Sequence, residues 1–344
     1  MRTAPKHAAS RHPASLRPTI RRSVLALFAA ALIAVLAACS TAPIDTGGHS
    51  LDPSSTLRSD GPQVATLPDA DPVPVQAVPR ITPDTERIIA LDRNNTLAEI
   101  VWALGFGSHV VARGESTTFP GAQKLPVVTD RHAIVTEKVL AANPTMVIAG
   151  NDSTPKGVLD QLREAGIRVV EVTAERSVAN TPEVIRTVAA ALHAETGGDQ
   201  LVERTQAQID QAKAQLPDPT GDPVMAFLYI RGERLILLAG PGSGADDLIA
   251  ELGGQDAGTK AGLTSAFTQV STESMMRANP DVILVMTHGA DSLGGMDKVL
   301  ALPAVAGTKA GQARRIVEMD DSQILSFGPD TGLVLSSLAK AIYR

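Results

Sequence analysis

The chain has 344 residues and a formal net charge of −6, and 44% of its residues are hydrophobic while 20% are charged. A protein of this size can bury a large apolar core. Its single cysteine excludes an intramolecular disulfide, so stability must come from that core. The acidic balance argues against nucleic acid and against an anionic membrane surface as the main partner.

The first 38 residues are typical of a secretory signal. Met1 to Arg22 carries six Lys or Arg residues and no carboxylate, and an apolar run from Ser23 to Ala38 follows. That run is short for a transmembrane span and ends in small residues. Its end, Leu36-Ala37-Ala38-Cys39, resembles the lipobox of bacterial lipoproteins, which implies that Cys39 is lipidated and begins the mature chain. Without the six positive charges of the signal the net charge falls from −6 to −12, so membrane attachment would rest on the lipid and not on a basic patch.

Residues 39–83 are predicted to form a flexible, lipid-anchored tether. From Ser40 to about Pro83 the chain is rich in Pro, Ser, Thr, Asp and Gly and has no sustained apolar period. The first folded lobe is therefore expected to begin at about residue 84.

Between residues 84 and 196, short apolar runs alternate with segments of helical spacing. In the first predicted helix, Leu97, Ile100 and Leu104 share one face, and Asn95 or Thr96 can cap its start. Strands alternating with helices imply a mostly parallel sheet covered on both faces. Further strands are predicted at 87–91, 109–113, 126–128, 146–149 and 168–172, and further helices at 136–142, 155–165 and 182–193.

A long helix is predicted from Gly198 to Leu216, within a linking segment at 197–217. Its apolar residues form one narrow stripe, and at 1.5 Å per residue it is about 28 Å long, enough to join two lobes. The alternation resumes over residues 218–344. Strands are predicted there at 224–229, 235–239, 282–286 and 315–317, and helices at 245–252, 271–278, 296–300 and 331–343. The predicted fold class is α/β, with two Rossmann-like lobes of mostly parallel sheets joined by one long helix.

The two predicted lobes contain a repeated unit. Thr136-Glu137-Lys-Val-Leu-Ala-Ala-Asn143-Pro144 matches Thr272-Glu273-Ser-Met-Met-Arg-Ala-Asn279-Pro280 without a gap, 136 residues apart. In both copies a threonine is expected to cap the helix, a glutamate lies in its first turn and Asn-Pro ends it. Two copies of one α/β unit explain the repeat, but not why both copies place an exposed glutamate at the helix start.

The strand predicted from Val224 to Gly232 places one of only two tyrosines beside an arginine. Side chains two residues apart on a strand point to the same face, so Tyr229 and Arg231 should project together. A fixed cation makes a neighbouring phenol easier to ionise, phenolate suits ferric iron, and tyrosine is among the axial ligands of haem. The same pattern also fits a strand end with a satisfied hydroxyl and an exposed arginine.

Histidines and a methionine offer further candidate ligands. His132 lies on a loop at the carboxyl end of the first sheet, where open α/β sheets bind ligands, although it could also be a plain surface residue. Met286 and His288 follow a strand at the same rim, and either could approach iron; the thioether fits core packing equally well. His132, His109 and His288 with a carboxylate could form a zinc or manganese site, but nothing fixes their spacing and Tyr229 would then have no role.

A glycine-rich turn, Gly240-Pro-Gly242-Ser-Gly244, follows a strand and opens a helix. It lacks the sixth-position glycine of the dinucleotide-binding fingerprint and does not lie in the first βαβ unit, so a tight turn is favoured.

The lipobox, the polar segment, the two lobes, the long helix and the paired Glu-x(5)-Asn-Pro units resemble the substrate-binding proteins of ABC importers for vitamin B12, siderophores and haem. The resemblance covers about Arg87 to Arg344. It implies the class III substrate-binding fold, with the importer permease and its ATPase as partners. It also implies that Glu137 and Glu273 dock onto basic residues of the permease, where two carboxylates on separate rigid lobes fix orientation as well as attraction.

Within this family the chain is similar to the haem-binding lipoproteins of the HmuT type. That likeness implies that His132 and Tyr229 bind haem iron from opposite sides, supported by Arg231 and Met286. Those proteins often carry a basic residue where this chain has Asp330, which implies that another cation pairs with a haem propionate here, or that the propionate lies in water. The matching stretches are Val128-Thr-Asp-Arg-His132, Phe227-Leu-Tyr229-Ile-Arg231-Gly232, Gly242-Ser-Gly-Ala-Asp246, Asp281-Val-Ile-Leu-Val-Met286-Thr and Ile324-Leu-Ser-Phe-Gly-Pro329.

The sequence thus predicts a haem-binding lipoprotein on the outer face of the plasma membrane that passes ferric haem to an ABC importer. It is not expected to be an enzyme, because two protein ligands on the iron leave no open position for a substrate. The long helix should limit opening of the lobes to small rotations. The alternatives are a ferric siderophore or cobalamin as cargo, an NAD-using enzyme built on the glycine turn, and a purely structural lipoprotein.

Overall fold

The computed structural model describes residues 55–175, 177–218 and 220–344, so the predicted signal, Cys39 and residues 40–54 lie outside the described residues. The strands follow in chain order: β1 (Gln63–Val64), β2 (Ile88–Leu91), β3 (Val110–Arg113), β4 (Thr129–Asp130), β5 (Ala133–Ile134), β6 (Met146–Gly150), β7 (Arg168–Val172), β8 (Val224–Arg231), β9 (Leu235–Ala239), β10 (Gln255–Asp256), β11 (Phe267–Gln269), β12 (Val282–Met286) and β13 (Ile316–Met319).

The helices alternate with these strands, and in the part of the chain described each is too short or too polar to span a bilayer. They are α1 (Thr96–Ala103), α2 (Thr136–Ala141), α3 (Val158–Glu164), α4 (Thr181–Ala191), α5 (Glu195–Ala214), α6 (Ala245–Glu251), α7 (Ala257–Lys260), α8 (Thr272–Ala278), α9 (Thr287–Asp291), α10 (Met296–Leu300), α11 (Pro303–Ala306), α12 (Lys309–Ala313) and α13 (Thr331–Ile342).

The N-terminal lobe is built on a four-stranded parallel sheet with the order β3-β2-β6-β7. All residues of β2 are buried, and they alternate between two cores: Ile88 packs with α1 and α4, and Ile89 packs with α2 and α3. This period of two explains the continuous apolar runs, because a strand covered by helices on both faces needs no polar side.

The C-terminal lobe contains a mostly parallel sheet with the order β1-β13-β12-β8-β9-β11, and β10 pairs with the start of β8. Only the β8–β9 and β9–β11 pairs are antiparallel in this sheet. The predicted fold class, two α/β lobes with mostly parallel sheets and one long connecting helix, is therefore confirmed.

The long helix α5 begins at Glu195, three residues before the predicted start at Gly198. Gly198 lies inside the helix, where it packs closely against α4. A larger residue would not fit, because an added Cβ would lie 2.5 Å from the Ala189 Cβ. Gly332 of α13 allows a similar close approach, since its Cβ would lie 2.4 Å from the backbone carbonyl carbon of Gln208. These glycines mark tight packing of α5 against both lobes, not a helix boundary.

Residues 55–83, which we name the N-terminal strap, differ from the flexible tether that composition predicts. Leu57 is fully buried in the C-terminal lobe, and β1 extends the sheet of that lobe beside β13. Further along, the Val75 N–H donates to the Ala103 carbonyl of the N-terminal lobe at 2.8 Å. The strap is ordered by docking onto both lobes, which its own lack of an apolar period cannot reveal.

The starts of two helices differ from the predicted capping. Asn95 has a left-handed backbone (φ 68°) and does not cap α1; the Asp92 carboxylate accepts the N–H groups of Thr96 and Leu97 instead, at 3.1 and 3.3 Å. Ser271, not Thr272, caps α8 by accepting the Ser274 N–H at 3.0 Å.

The repeated unit keeps its shape in both lobes. Asn143 and Asn279, which end α2 and α8, are both left-handed, with φ values of 47° and 45°, as expected for a turn that ends a helix before proline. Thr136 caps nothing: its hydroxyl donates to the side-chain carbonyl of Gln161 at 3.1 Å.

The two lobes meet at the loop that precedes α13. Threonine hydroxyls of the N-terminal lobe and of α5 donate to three carbonyls of this loop, so the loop is fixed from outside its own lobe. The pairs are Thr96 with Ser326, Thr181 with Phe327 at 3.1 Å, and Thr205 with Pro329 at 3.2 Å.

Candidate functional site

A cleft of about 400 Å³ lies between the two lobes and collects the side chains that the sequence singled out. Its volume is within the range of small-molecule sites. Glu115, Asp320 and Asp321 also line it, and the sequence did not predict them. The predicted residues in its walls are His132 from the N-terminal lobe and Tyr229, Arg231, Met286 and His288 from the C-terminal lobe.

His132 is presented by a tight hairpin turn between β4 and β5. Arg131 and His132 form the two-residue connection, and both are left-handed, with φ values of 47° and 64°. Such turns match the twist of the flanking strands. The Glu115 carboxylate holds the turn: it accepts the Arg131 N–H at 3.1 Å and the His132 N–H at 2.7 Å, and lies 3.5 Å from the His132 Nδ1. The prediction of a plain loop therefore missed both the hairpin and its support.

Tyr229 lies near the end of β8 between a cation and an aromatic ring. The Arg231 guanidinium carbon is 4.5 Å from the centre of the Tyr229 ring, so the two side chains project together as the strand spacing predicts. Phe267 meets the same ring edge-on, with centroids 5.9 Å apart and an interplanar angle of 63°. Both contacts restrict the orientation of the phenol.

The carboxylate of Asp321 contacts both Arg231 and His288 in the wall of the cleft. It pairs with Arg231 at 3.0 Å, and its other oxygen accepts the His288 N–H at 3.1 Å. The Nδ1 of His288 lies 3.6 Å from the carboxylate. Because the side chain of Asp321 is only 18% exposed, its charge acts in a partly desolvated setting and holds Arg231 strongly.

Met286 and His288 both line the cleft but differ in how exposed their side chains are. Met286 is the last residue of β12, is 7% exposed and packs with the core of the C-terminal lobe while also lining the cleft. The side chain of His288, in the first turn of α9, is 76% exposed. Met286 thus serves packing as well as the cleft, whereas His288 is free to meet a ligand.

Asp330 does not lie in this cleft. It lines an adjoining cavity of about 670 Å³ beside Glu99 and the strap, and burial raises the pKa of its carboxyl. Position 330, where the proteins of the resemblance often carry a basic residue, therefore does not line this cleft. Arg93 lines the cleft instead and pairs with Asp152 at 3.0 Å.

The zinc or manganese alternative is not supported. His109 lies outside the cleft, with its Nδ1 3.2 Å from the Glu86 carbonyl. His193 pairs with Asp84 at 3.2 Å and also lies elsewhere. Across residues 55–175, 177–218 and 220–344 no group of three or more His, Cys, Asp or Glu side chains is arranged to hold a metal ion.

The glycine turn at residues 240–244 is closed by a side chain of the helix that follows it. Asp246 accepts the N–H groups of Gly242 and Gly244 at 2.8 and 3.0 Å. Since those amides are already paired, they are not directed at a phosphate, and the tight-turn interpretation is favoured over the dinucleotide one.

The two glutamates of the repeat lie in the first turns of exposed helices. Glu137 of α2 and Glu273 of α8 are both exposed, and Glu273 accepts a hydrogen bond from Arg277 at 2.7 Å. Leu140 and Met276, also 136 residues apart, are 43% and 48% exposed on the same helices. Each helix thus displays a carboxylate and an apolar side chain one turn apart.

Comparison with known proteins agrees with this architecture. Residues 83–323 match the family described as periplasmic binding protein. A cobalamin-binding protein of Halobacterium salinarum is 26% identical over 325 residues, covering 92% of this chain and 85% of that protein. The crystal structure of the haem-binding protein HmuT is 30% identical, with a TM-score of 0.76 over 85% of this chain and 99% of that one. The periplasmic haem-binding protein RhuT from Roseiflexus sp. RS-1 is 37% identical, with a TM-score of 0.70 over 75% of this chain and 97% of that one.

Proposed function

This chain belongs to the periplasmic binding protein family, and on that premise we propose that it is the haem-binding protein of an ABC importer. One observation carries the proposal: a single cleft brings an imidazole from one lobe, His132, together with the Tyr229–Arg231 pair of the other lobe. Ligands from both lobes can hold a flat macrocycle between them, and one of them can be released during delivery.

The residues of the cleft suit ferric haem. A tyrosine phenolate is an anionic oxygen ligand that favours the ferric state, and histidine is a common haem ligand. The Arg231 guanidinium carbon lies 4.5 Å from the centre of the Tyr229 ring, and in this proposal it supports the ring of the iron-bound phenolate. Arg93, which lines the cleft, is the proposed cation for a propionate, because residue 330 of this chain is an aspartate that lines another cavity.

Titration of the purified protein with hemin tests this function. We expect a sharp Soret band that shifts in Tyr229→Phe and in His132→Ala. The matched control is His109→Ala, which removes an imidazole that lies outside the cleft. Absence of any spectral change when hemin is added to the wild-type protein would overturn the proposal.

Cobalamin or a ferric siderophore is the second candidate cargo, favoured by the similarity to a cobalamin-binding protein. Neither needs an arginine-supported phenolate, which is why haem fits the cleft better. Calorimetry with cyanocobalamin and with a hydroxamate siderophore separates the cases: tight binding of either one, without hemin binding, would replace haem as the cargo.

The proposed partners are the importer permease and its ATPase, reached through Glu137 and Glu273. In a nanodisc-reconstituted importer, Glu137→Lys with Glu273→Lys should abolish stimulation of ATP hydrolysis and leave hemin binding intact. Glu203→Lys, an equally acidic exposed site on α5, is the control and should stimulate normally. Full stimulation by the double variant would show that docking uses another surface.

Attachment to the outer face of the plasma membrane through lipidated Cys39 is part of the same proposal. We expect the wild-type chain to incorporate labelled palmitate in a bacterial host and to sediment with membranes, whereas Cys39→Ala should do neither. Equal labelling of both chains would remove Cys39 as the lipid attachment site.

A further inference from the structure

A second imidazole faces the cleft from the C-terminal lobe, and the proposed function leaves it without a role. His288 lies in the first turn of α9, directly after the strand that ends with Met286, and it lines the same cleft as His132 and Tyr229. Its side chain is 76% exposed, so no packing constraint accounts for its position.

His288 and His132 share one arrangement. In each, a carboxylate accepts the backbone N–H of the histidine and lies near its ring Nδ1. Asp321 lies 3.1 Å from the backbone nitrogen of His288 and 3.6 Å from its Nδ1. Glu115 lies 2.7 Å from the backbone nitrogen of His132 and 3.5 Å from its Nδ1. The Nδ1 distances exceed a direct hydrogen bond, so the effect is electrostatic. A carboxylate on the Nδ1 side favours the tautomer with its proton on Nδ1, which leaves the lone pair of Nε2 for a metal.

The two ligand types of the C-terminal lobe differ in the iron they prefer. A phenolate is a hard, anionic donor, and its attraction to iron falls when the charge of the iron falls from three to two. A neutral imidazole is a borderline donor that suits ferrous iron. A cleft with only Tyr229 on this side would therefore lose much of its hold on haem after reduction.

We propose that His288 is a second iron ligand of the C-terminal lobe, which replaces Tyr229 when the haem iron is reduced, so that ferrous haem is held by His132 and His288. This inference rests on the proposed haem-binding function and deepens it. It makes the cleft competent for haem in both oxidation states, with the same ligand from the N-terminal lobe in each.

The proposed ligand exchange accompanies a one-electron reduction of the haem iron. An external one-electron reductant, such as dithionite, converts ferric to ferrous iron. The iron–oxygen bond to Tyr229 breaks, and the phenolate takes one proton from water. An iron–nitrogen bond forms to Nε2 of His288, which keeps its Nδ1 proton toward Asp321. Arg231 stays paired with Asp321 throughout, so its charge remains compensated after the phenol becomes neutral.

Anaerobic reduction of the hemin-loaded protein with dithionite tests the exchange. The wild-type protein should give the sharp visible bands of six-coordinate, low-spin ferrous haem with two imidazole ligands. His288→Ala should instead give a five-coordinate, high-spin ferrous spectrum and transfer ferrous haem to apomyoglobin faster by roughly tenfold or more, as expected for the loss of one ligand bond. Tyr229→Phe should already show a low-spin, two-imidazole spectrum in the ferric state.

Two further variants keep the outcomes separate. Met286→Leu tests the neighbouring thioether: loss of the low-spin ferrous spectrum in this variant, with its retention in His288→Ala, would assign the ligand to Met286 and overturn the inference. His109→Ala, outside the cleft, controls for the loss of a histidine. Identical reduced spectra of wild type and His288→Ala would also overturn the inference about His288. The proposed binding of ferric haem would still stand in that case. If the ferric protein binds no hemin at all, the proposed function fails as well.

Discussion

The carboxylate of Glu115 accepts the backbone N–H of His132 at 2.7 Å and lies 3.5 Å from its ring Nδ1. The same carboxylate accepts the N–H of Arg131, so one side chain fixes both residues of the turn. The position of His132 therefore depends on a residue 17 positions earlier in the chain.

Glu115→Ala should weaken hemin binding by roughly 10–100-fold, as is typical when a residue that orients a metal ligand is removed. The turn amides would lose their acceptor and His132 its electrostatic partner. Isothermal or optical titration with hemin measures the change. Asp130→Ala removes an exposed carboxylate from the same hairpin and should have little effect. Unchanged affinity in Glu115→Ala would show that the hairpin holds His132 by itself.

Arg231→Met should lower the affinity for ferric haem by about tenfold, since loss of a cation–π contact to a partly desolvated ring costs on the order of 1–2 kcal/mol. The substitution removes the cation over the Tyr229 ring and leaves the partly buried Asp321 without its 3.0 Å partner. Hemin titration measures the affinity. Arg234→Met, an exposed arginine in the turn that follows β8, is the comparison. Equal affinities in both variants would remove Arg231 from the site.

Leu57→Ala should destabilise the protein by about 2–5 kcal/mol, the usual cost of deleting a buried leucine side chain. Leu57 is fully buried where the strap meets the C-terminal lobe, whereas Val78 of the same strap is 91% exposed. Val78→Ala should therefore leave the urea midpoint almost unchanged. If both variants unfold like the wild type, the strap does not dock in solution.

Glu99→Gln should make the protein more stable at alkaline pH. Burial, and then the charges of Asp330 and Asp92, raise the pKa of the Glu99 carboxyl well above its ordinary value. Between the unfolded and folded pKa values the native protein keeps a proton that the unfolded chain has lost, so stability falls as the pH rises, by up to about 1.4 kcal/mol per pH unit.

The test compares urea unfolding of Glu99→Gln and wild type from about pH 4, near the unfolded pKa, to pH 8. The variants should agree at the acidic end and diverge as the pH rises, with the glutamine form more stable. The exposed Glu137→Gln should follow the wild-type curve. Parallel curves for Glu99→Gln and wild type would show that Glu99 does not hold a proton in the folded protein.

Much of the fold could be predicted from local pattern. Strands such as β2, β6 and β12 are continuous apolar runs because helices cover both faces of their sheets. Short strands such as β1, β10 and β11 have two or three residues, which is too few for a periodic signal. The early start of α5 was missed because Gly198 reads as a boundary, although it serves a close helix contact.

Sequence by itself determined the residue types that can bind iron and their positions at strand ends, since side-chain chemistry and the periods of strands and helices are local properties. It also determined the pairing of Tyr229 with Arg231, because alternation along a strand fixes which side chains share a face. Only the tertiary structure decided that Glu115 and Asp321 hold the cleft residues, that Asp330 lies in another cavity and that the strap is docked. Asp321 is 90 residues from Arg231 in the chain, and contacts over such separations follow from how the lobes pack and leave no periodic trace in the sequence.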